Sequence, residues 1–191
     1  VNCGFKVFDD VLSRGGIVRG LAVPGGATFT RGQFDKLTDL AKKNGAKGLV
    51  WLKPEADGTI NSPISKFFTQ EKLKDIFKAL GCTDKDCGLI VSDDYDPTCA
   101  ALSSLRLQLG RDLKLIDFNK YNFLWVVNFP LLEYSPEDKR WVSRHHPFTS
   151  PTDEFFDDMI ANNEKAYPKM LAKAYDLVCN GYEMGGGSIR I

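Results

Sequence analysis

Three charged side chains near the end of the sequence stand where chemistry is possible. From Ala174 the chain runs Ala-Tyr-Asp-Leu-Val-Cys-Asn-Gly-Tyr-Glu-Met-Gly-Gly-Gly-Ser-Ile-Arg-Ile, ending at Ile191. Asn180-Gly181 between two alternating stretches is a strong hairpin signal, which places Asp176, Glu183 and Arg190 on antiparallel strands. Strict alternation would put Glu183 and Arg190 on opposite faces, because an odd number of steps separates them. Gly185, Gly186 and Gly187 lie between the two. Such a run permits a bulge that resets the phase, and it removes side chains where a ligand can meet the backbone. Two carboxylates and an arginine beside a bare glycine floor suit a phosphate, a magnesium ion or a carboxylate ligand. The same charges also fit an ordinary solvated hairpin, and Asp176 alone fits a solvated strand position equally well.

The only two histidines, His145 and His146, sit together in Arg144-His145-His146-Pro147-Phe148-Thr149. Adjacent residues on an extended chain point oppositely, and no cysteine or third histidine lies near in sequence, so they do not form a metal-ligand pattern. The five cysteines, at 3, 82, 87, 99 and 179, contain no C-x-x-C. Free, reduced thiols in a cytosolic protein fit these spacings better than a disulfide or zinc framework. The turn Pro24-Gly25-Gly26-Ala27 lacks the G-x-x-x-x-G-K-[ST] pattern of a phosphate loop.

The elements that must carry these residues fall into two parts. In the first, Phe5, Phe8, Val11 and Leu12 recur at helical spacing until Gly15-Gly16. Ile17 to Val23 alternates as a strand. Thr30 with Gln33 forms a capping box for a helix facing inward through Phe34, Leu37, Leu40 and Ala41, and stopped by Asn44-Gly45. Gly48 to Leu52 reads as a strand, followed by a loop from Pro54 to Pro63. Thr69 caps a helix with Leu73, Ile76, Phe77 and Leu80 inward, ending at Gly81. A short strand at Leu89-Ile90-Val91 follows. A third helix is capped by Asp96 with Pro97 at its first position, carries Leu102, Leu105 and Leu109, and stops at Gly110. In the second part, Tyr121 to Tyr134 is apolar on both sides of its centre, which predicts a strand buried on both faces, while Pro130 ends it or confines it to an edge. Ser135 to Asp138 turns the chain into a return strand at Arg140-Trp141-Val142. Ser150 to Pro168 is a long excursion with at most a short helix. The expected class is α+β: a mixed sheet with helices over residues 1–112, then an antiparallel sheet over 113–191.

Composition bounds the function. Lys plus Arg and Asp plus Glu are each 25, so the formal net charge is zero, which excludes a binder that depends on sheer positive charge. Lys36, Lys42, Lys43 and Lys47 make a modest cluster of the kind a solvated face carries. No apolar run approaches the roughly 20 residues of a membrane span. With no starting Met, no leader and an end inside an apparent strand, the chain is expected to be cut from a longer protein.

Four stretches in order then stop being anonymous: Phe123-Leu124-Trp125-Val126-Val127-Asn128-Phe129-Pro130; His145-His146-Pro147-Phe148-Thr149; Ala174 to Val178; and Gly181-Tyr182-Glu183-Met184-Gly185-Gly186-Gly187-Ser188-Ile189-Arg190-Ile191. Together they resemble bacterial-type aspartyl-tRNA synthetase. Phe5 to Phe8, Val23 to Gly26, Gly45 to Leu49 and Ser62-Pro63-Ile64 resemble its GAD-type insertion domain, also found in an amidotransferase subunit. The resemblance implies a cytoplasmic class II enzyme that activates L-aspartate with ATP and Mg²⁺ and transfers it to tRNA(Asp) as a homodimer. It places motifs 1 and 2 before Val1 and motif 3 after Ile191, so the chain by itself is expected to be inactive. Gly185-x-Gly187-x-x-Arg190 fits the short motif 3 pattern by accident, since in this family it precedes motif 3. Asn128 stands where the family more often has Asp.

Roles follow residue by residue from the resemblance. His145 would contact aspartate within a closing loop that His146 supports. Glu183 would bind ATP through magnesium, with Asp176 as the second metal carboxylate. Gly185, Gly186 and Gly187 would admit the adenylate to the backbone. Arg190 would fork with the substrate's side-chain carboxylate. Asparagine would set an NH₂ donor against that cation, at a cost on the order of 3 kcal/mol. The rival readings are a non-catalytic module that contacts tRNA or protein, and the amidotransferase subunit. The latter is disfavoured by His145-His146 occurring with Glu183 and Arg190.

Overall fold

The computed structural model describes residues 4–191; Cys3 lies outside them. The chain divides into two compact units, the first ending at Ile116 and the second running from Asp117 to Ile191. The division falls beyond Asp112 because Leu113 still packs on the first core and the Ile116 side chain lies over Gly110.

The first unit is a four-stranded sheet in the order β1-β4-β2-β3, formed by Ile17–Val23, Cys87–Asp93, Val50–Pro54 and Ile60–Asn61. Every pairing is antiparallel, so the expected mixed sheet is an antiparallel one. The sheet carries α2 (Arg31–Lys43) and α4 (Tyr95–Asp112) on one face, and α1 (Lys6–Ser13) and α3 (Gln70–Ala79) on the other. Alternation on the central strand β4 divides its side chains between two cores. Cys87, Leu89 and Val91 join Phe34, Leu37, Ala101 and Leu105, while Ile90 joins Phe8, Leu52, Leu73 and Phe77. Burial on both faces explains why this strand reads as a continuous apolar run. Trp51 of β2 stacks on Phe34 with ring centroids 4.6 Å apart.

Local signals account for most helix ends. The Gln33 side chain accepts from the Thr30 backbone N–H at 2.9 Å, closing the capping box of α2. Thr69 Oγ1 accepts from the Lys72 N–H at 3.3 Å to cap α3. Gly45 and Gly81, with φ of 95° and 78°, stop the two helices. Helix α4 departs from its predicted start: it begins at Tyr95 with Asp94 as cap, and Pro97 is its third residue. Proline is tolerated there because first-turn N–H groups have no intrahelical partner. The cause of the earlier start lies next door. Asp93 is buried and receives Arg14 Nη2 at 2.6 Å and Lys47 Nζ at 3.0 Å, and its Oδ1 accepts from the Asp94 N–H at 3.0 Å. That cluster turns the chain before Asp96 is reached.

The second unit has a three-stranded antiparallel sheet, β5-β8-β9, from Phe123–Pro130, Leu171–Cys179 and Tyr182–Ser188. A separate hairpin pairs β6 (Leu132–Ser135) with β7 (Arg140–Ser143), and the excursion after Ser150 holds one five-residue helix, α5 (Phe156–Ile160). Strand β5 lies at the sheet edge, as Pro130 predicts, but it is not buried on both faces. Phe123, Leu124 and Trp125 are 61%, 54% and 60% exposed although they alternate sides. Within this unit the core gathers instead at the other end of the sheet, around Leu131, Met170 and Ala172, so the middle of β5 has no layer against it. Asn128 takes φ +59° where Lys173 and Ala174 of β8 together oppose it in a bulge. Asn and Asp are the side chains that best tolerate this region, which makes Asn an adequate occupant of a position expected to hold Asp.

Candidate functional site

The geometry of the site begins with the β8–β9 register. Asn180 and Gly181, with φ of 50° and 88°, make the tight turn. Cys179 then faces Tyr182 and Val178 faces Glu183, but Leu177 faces Gly185, so Met184 is the extra residue of a bulge. The phase reset occurs one residue before the glycine run. Beyond it Asp176 faces Gly186 and Ala174 faces Ser188. Counting through the bulge, Glu183, Gly186, Ser188 and Arg190 all lie on the face of Asp176, which strict alternation forbids. Glu183 is a diagonal neighbour of Asp176, a relation that sets the two residues about 7–8 Å apart, with their Cβ atoms somewhat closer. At about 3.3 Å per residue, Arg190 lies roughly 20 Å along the strand from Glu183 and about 13 Å from Gly186, which Asp176 faces. The acidic pair and the arginine therefore stand at separate points along one face of the sheet.

The three glycines differ. Space beside Gly185 is open. A Cβ on Gly186 would collide with the Asp176 carboxylate, which lies flat on the sheet there. A Cβ on Gly187 would stand 2.9 Å from the Tyr175 hydroxyl on the opposite face. Tyr175 in turn meets Trp125 edge-to-face at 5.9 Å. Gly186 thus seats Asp176, Gly187 seats Tyr175, and Gly185 leaves backbone bare to solvent.

Although distant in sequence, the histidine segment docks beside Arg190. Phe148 to Pro151 runs antiparallel to the chain end: the Ser150 N–H donates to the Ile189 carbonyl at 2.8 Å and the Ile191 N–H to the Phe148 carbonyl at 3.0 Å. Thr149 pairs with Arg190, and the Arg190 Nη1 donates to Thr149 Oγ1 at 3.4 Å. Ahead of it His146 folds the turn. Its Nδ1 accepts from the Phe148 N–H at 3.2 Å and its carbonyl accepts from the Thr149 N–H at 2.9 Å and the Ser143 hydroxyl at 3.2 Å. His145 stays exposed, its ring edge-to-face with Phe129 at 5.0 Å. The buried hydroxyl of Thr149 was not singled out from the sequence; its only signal there is a polar residue heading the Thr-Ser-Pro run that enters the small core.

Asp176 and Glu183 offer oxygen ligands only, a donor set that fits magnesium shared with substrate phosphates. Among the described residues no group of three or more acidic, histidine or cysteine side chains is arranged to hold a metal alone. Elsewhere, burial pushes the Cys82 thiol up to about 11 and the Cys87 thiol up to about 12. Cys82, Cys87, Cys99 and Cys179 are free. No helix is long and apolar enough to cross a membrane among the described residues.

Comparison with known proteins finds relatives over most of the chain. Residues 8–102 match the GAD domain family. Aspartate–tRNA(Asp/Asn) ligase of Persephonella marina is 47% identical over 189 residues, 98% of this chain and 31% of that protein. The enzyme of the same name from Bacillus subtilis is 47% identical over 188 residues, with the same coverage of 98% and 31%. Aspartate–tRNA ligase of Halalkalibacterium halodurans is also 47% identical over 188 residues, again 98% of this chain and 31% of the relative. The chain spans about 31% of the length of these curated relatives. The resemblance drawn from the motifs extends over nearly the whole chain.

Proposed function

We propose that this chain, a GAD domain followed by a segment akin to aspartate–tRNA ligases, is part of a longer ligase that activates L-aspartate with ATP and passes it to tRNA(Asp). In this reading the unit ending at Ile116 is the insertion domain and the unit from Asp117 to Ile191 supplies one wall of the catalytic domain, in a cytoplasmic homodimer. The observation that supports it most is the bulge at Met184, which brings Asp176, Glu183 and Arg190 onto one face while the histidine segment docks at the Arg190 end.

The chemistry requires no general base from this wall. The aspartate α-carboxylate attacks the α-phosphorus of ATP, the bond to the β-phosphate breaks and pyrophosphate leaves, giving the aspartyl-adenylate; catalysis consists of positioning and charge compensation. Glu183 and Asp176 would hold a magnesium ion, whose charge offsets that of the phosphates. The open backbone at Gly185 gives the adenylate a surface to lie on. Arg190 pairs with the side-chain carboxylate of the substrate, and exposed His145 covers it from the docked loop, with His146 holding that loop in shape.

Aspartate-dependent ATP–pyrophosphate exchange tests the reading. The longer protein should exchange and the 191-residue chain should stay at background, because one wall cannot clamp the triphosphate. Arg190→Ala in the longer protein should lower kcat/KM for aspartate by roughly 10²-fold, the equivalent of about 3 kcal/mol, with the KM for ATP unchanged. Arg190→Lys should recover part of the loss, because an ammonium lacks the planar fork. A change in the KM for ATP instead of aspartate would assign Arg190 to the nucleotide and defeat the proposal.

A further inference from the structure

The backbone pairing of Phe148 to Pro151 with the chain end explains why Thr149 is held in place, but not why its hydroxyl is buried. Thr149 is 2% exposed, with Ser150 and Pro151 buried beside it. A buried hydroxyl needs partners, and this one has two. It accepts from Arg190 Nη1 at 3.4 Å and donates to Ser188 Oγ at 3.4 Å. A hydroxyl carries one donor and two acceptor sites, so the relay from Arg190 through Thr149 to Ser188 is chemically consistent in that direction.

Arg190 is otherwise an exposed side chain on a flexible stem. Anchoring one Nη1 leaves its other donors free for a two-point contact with a carboxylate, and limits the orientations in which that contact forms. Thr149 also donates its backbone N–H to the His146 carbonyl at 2.9 Å, so the histidine turn and the arginine share one fixed point. Resting on the ligase reading above, we propose that Thr149 is a positioning residue for substrate recognition: its buried hydroxyl orients the Arg190 guanidinium toward the aspartate side chain.

The test is steady-state exchange by the longer protein carrying Thr149→Val, which keeps shape and branching but offers no acceptor, and Thr149→Ser, which keeps the hydroxyl. Thr149→Val should raise the KM for aspartate about tenfold, the scale of one hydrogen bond to a charged group, and leave the KM for ATP unchanged. Thr149→Ser should restore most of the affinity. In an Arg190→Lys background Thr149→Val should add no further effect, since it acts through the guanidinium. An unchanged KM for aspartate, an equal rise in both KM values, a fall in kcat alone, or full additivity with Arg190→Lys would each overturn the assignment. If Thr149→Val does not fold, Ser188→Ala decides. A selective rise in the aspartate KM supports the relay, and no change overturns it. A wild-type protein without aspartate-dependent exchange defeats the ligase reading and this inference together, whereas an active wild type with an indifferent Thr149→Val defeats the inference alone.

Discussion

Replacing Asp93 by Asn should destabilise the first unit by about 1–2 kcal/mol at pH 7, and the loss should vanish in acid. The Asp93 side chain is 4% exposed, and one oxygen, Oδ1, receives Arg14 Nη2 at 2.6 Å and Lys47 Nζ at 3.0 Å. Asn keeps the volume and an acceptor but turns two charge-assisted hydrogen bonds into weaker neutral-acceptor ones. The full value of a buried pair does not apply, because the Arg14 and Lys47 side chains are 41% and 72% exposed and water screens them. Arg14 also retains Asp94 at 3.3 Å. Burial pushes the Asp93 carboxyl up, but hydrogen bonds from Lys47 and Arg14 outweigh it and hold the group below its ordinary value. A depressed folded-state value means that the unfolded chain binds the proton more readily, so this contribution is present above the unfolded value of about 3.9 and is lost as pH falls through the folded one. Urea unfolding followed by Trp51 fluorescence, with Trp125 and Trp141 replaced by Phe, measures the difference at pH 7 and near pH 3. Equal midpoints at pH 7, or a gap that widens in acid, would refute the reasoning.

Hydrogen exchange should be slowest at the amides of β4, which is buried on both faces, and faster in β9, whose strand is exposed almost throughout; better protection of β9 would contradict the division of stability between the units. Asn128→Gly should leave the second unit's stability within about 0.5 kcal/mol, while Asn128→Val should cost about 1–2 kcal/mol through its φ of +59°, as measured by urea unfolding with Trp125 as the retained tryptophan. At pH 8 the Cys87 thiol, held up at about 12 by burial, should resist iodoacetamide in the native protein and react once urea unfolds the first unit. Modification within minutes under native conditions would be the contrary result.

Much of the first unit was legible because its instructions are local. The Thr30–Gln33 box, the Thr69 cap and the stops at Gly45 and Gly81 each depend on residues within one turn, and the apolar faces of α2 and α3 follow from period alone. The hairpin at Asn180-Gly181 and the need for a phase reset before Arg190 were legible for the same reason. Strand direction and order were not: β4 lies between β1 and β2, its distant neighbours in the chain, and such pairings leave no short-range mark. The start of α4 was missed because Arg14 and Lys47, from elsewhere in the sequence, hold Asp93 in place and turn the chain early. The apolar run of β5 signalled burial on both faces, but burial belongs to whatever packs against a strand, and within its unit the core forms at the other end of the sheet. At the site, the residue types were legible and the resemblance assigned them roles, but the contacts that hold the histidine segment in place were not legible. Sequence placed His145 and His146 side by side, yet in the fold His146 ties the turn through its Nδ1 and carbonyl, His145 meets Phe129, and the following segment docks on Arg190 and buries the Thr149 hydroxyl against Arg190 and Ser188. Composition and period act over a few residues, whereas an orientation within hydrogen-bond reach depends on where two distant segments meet.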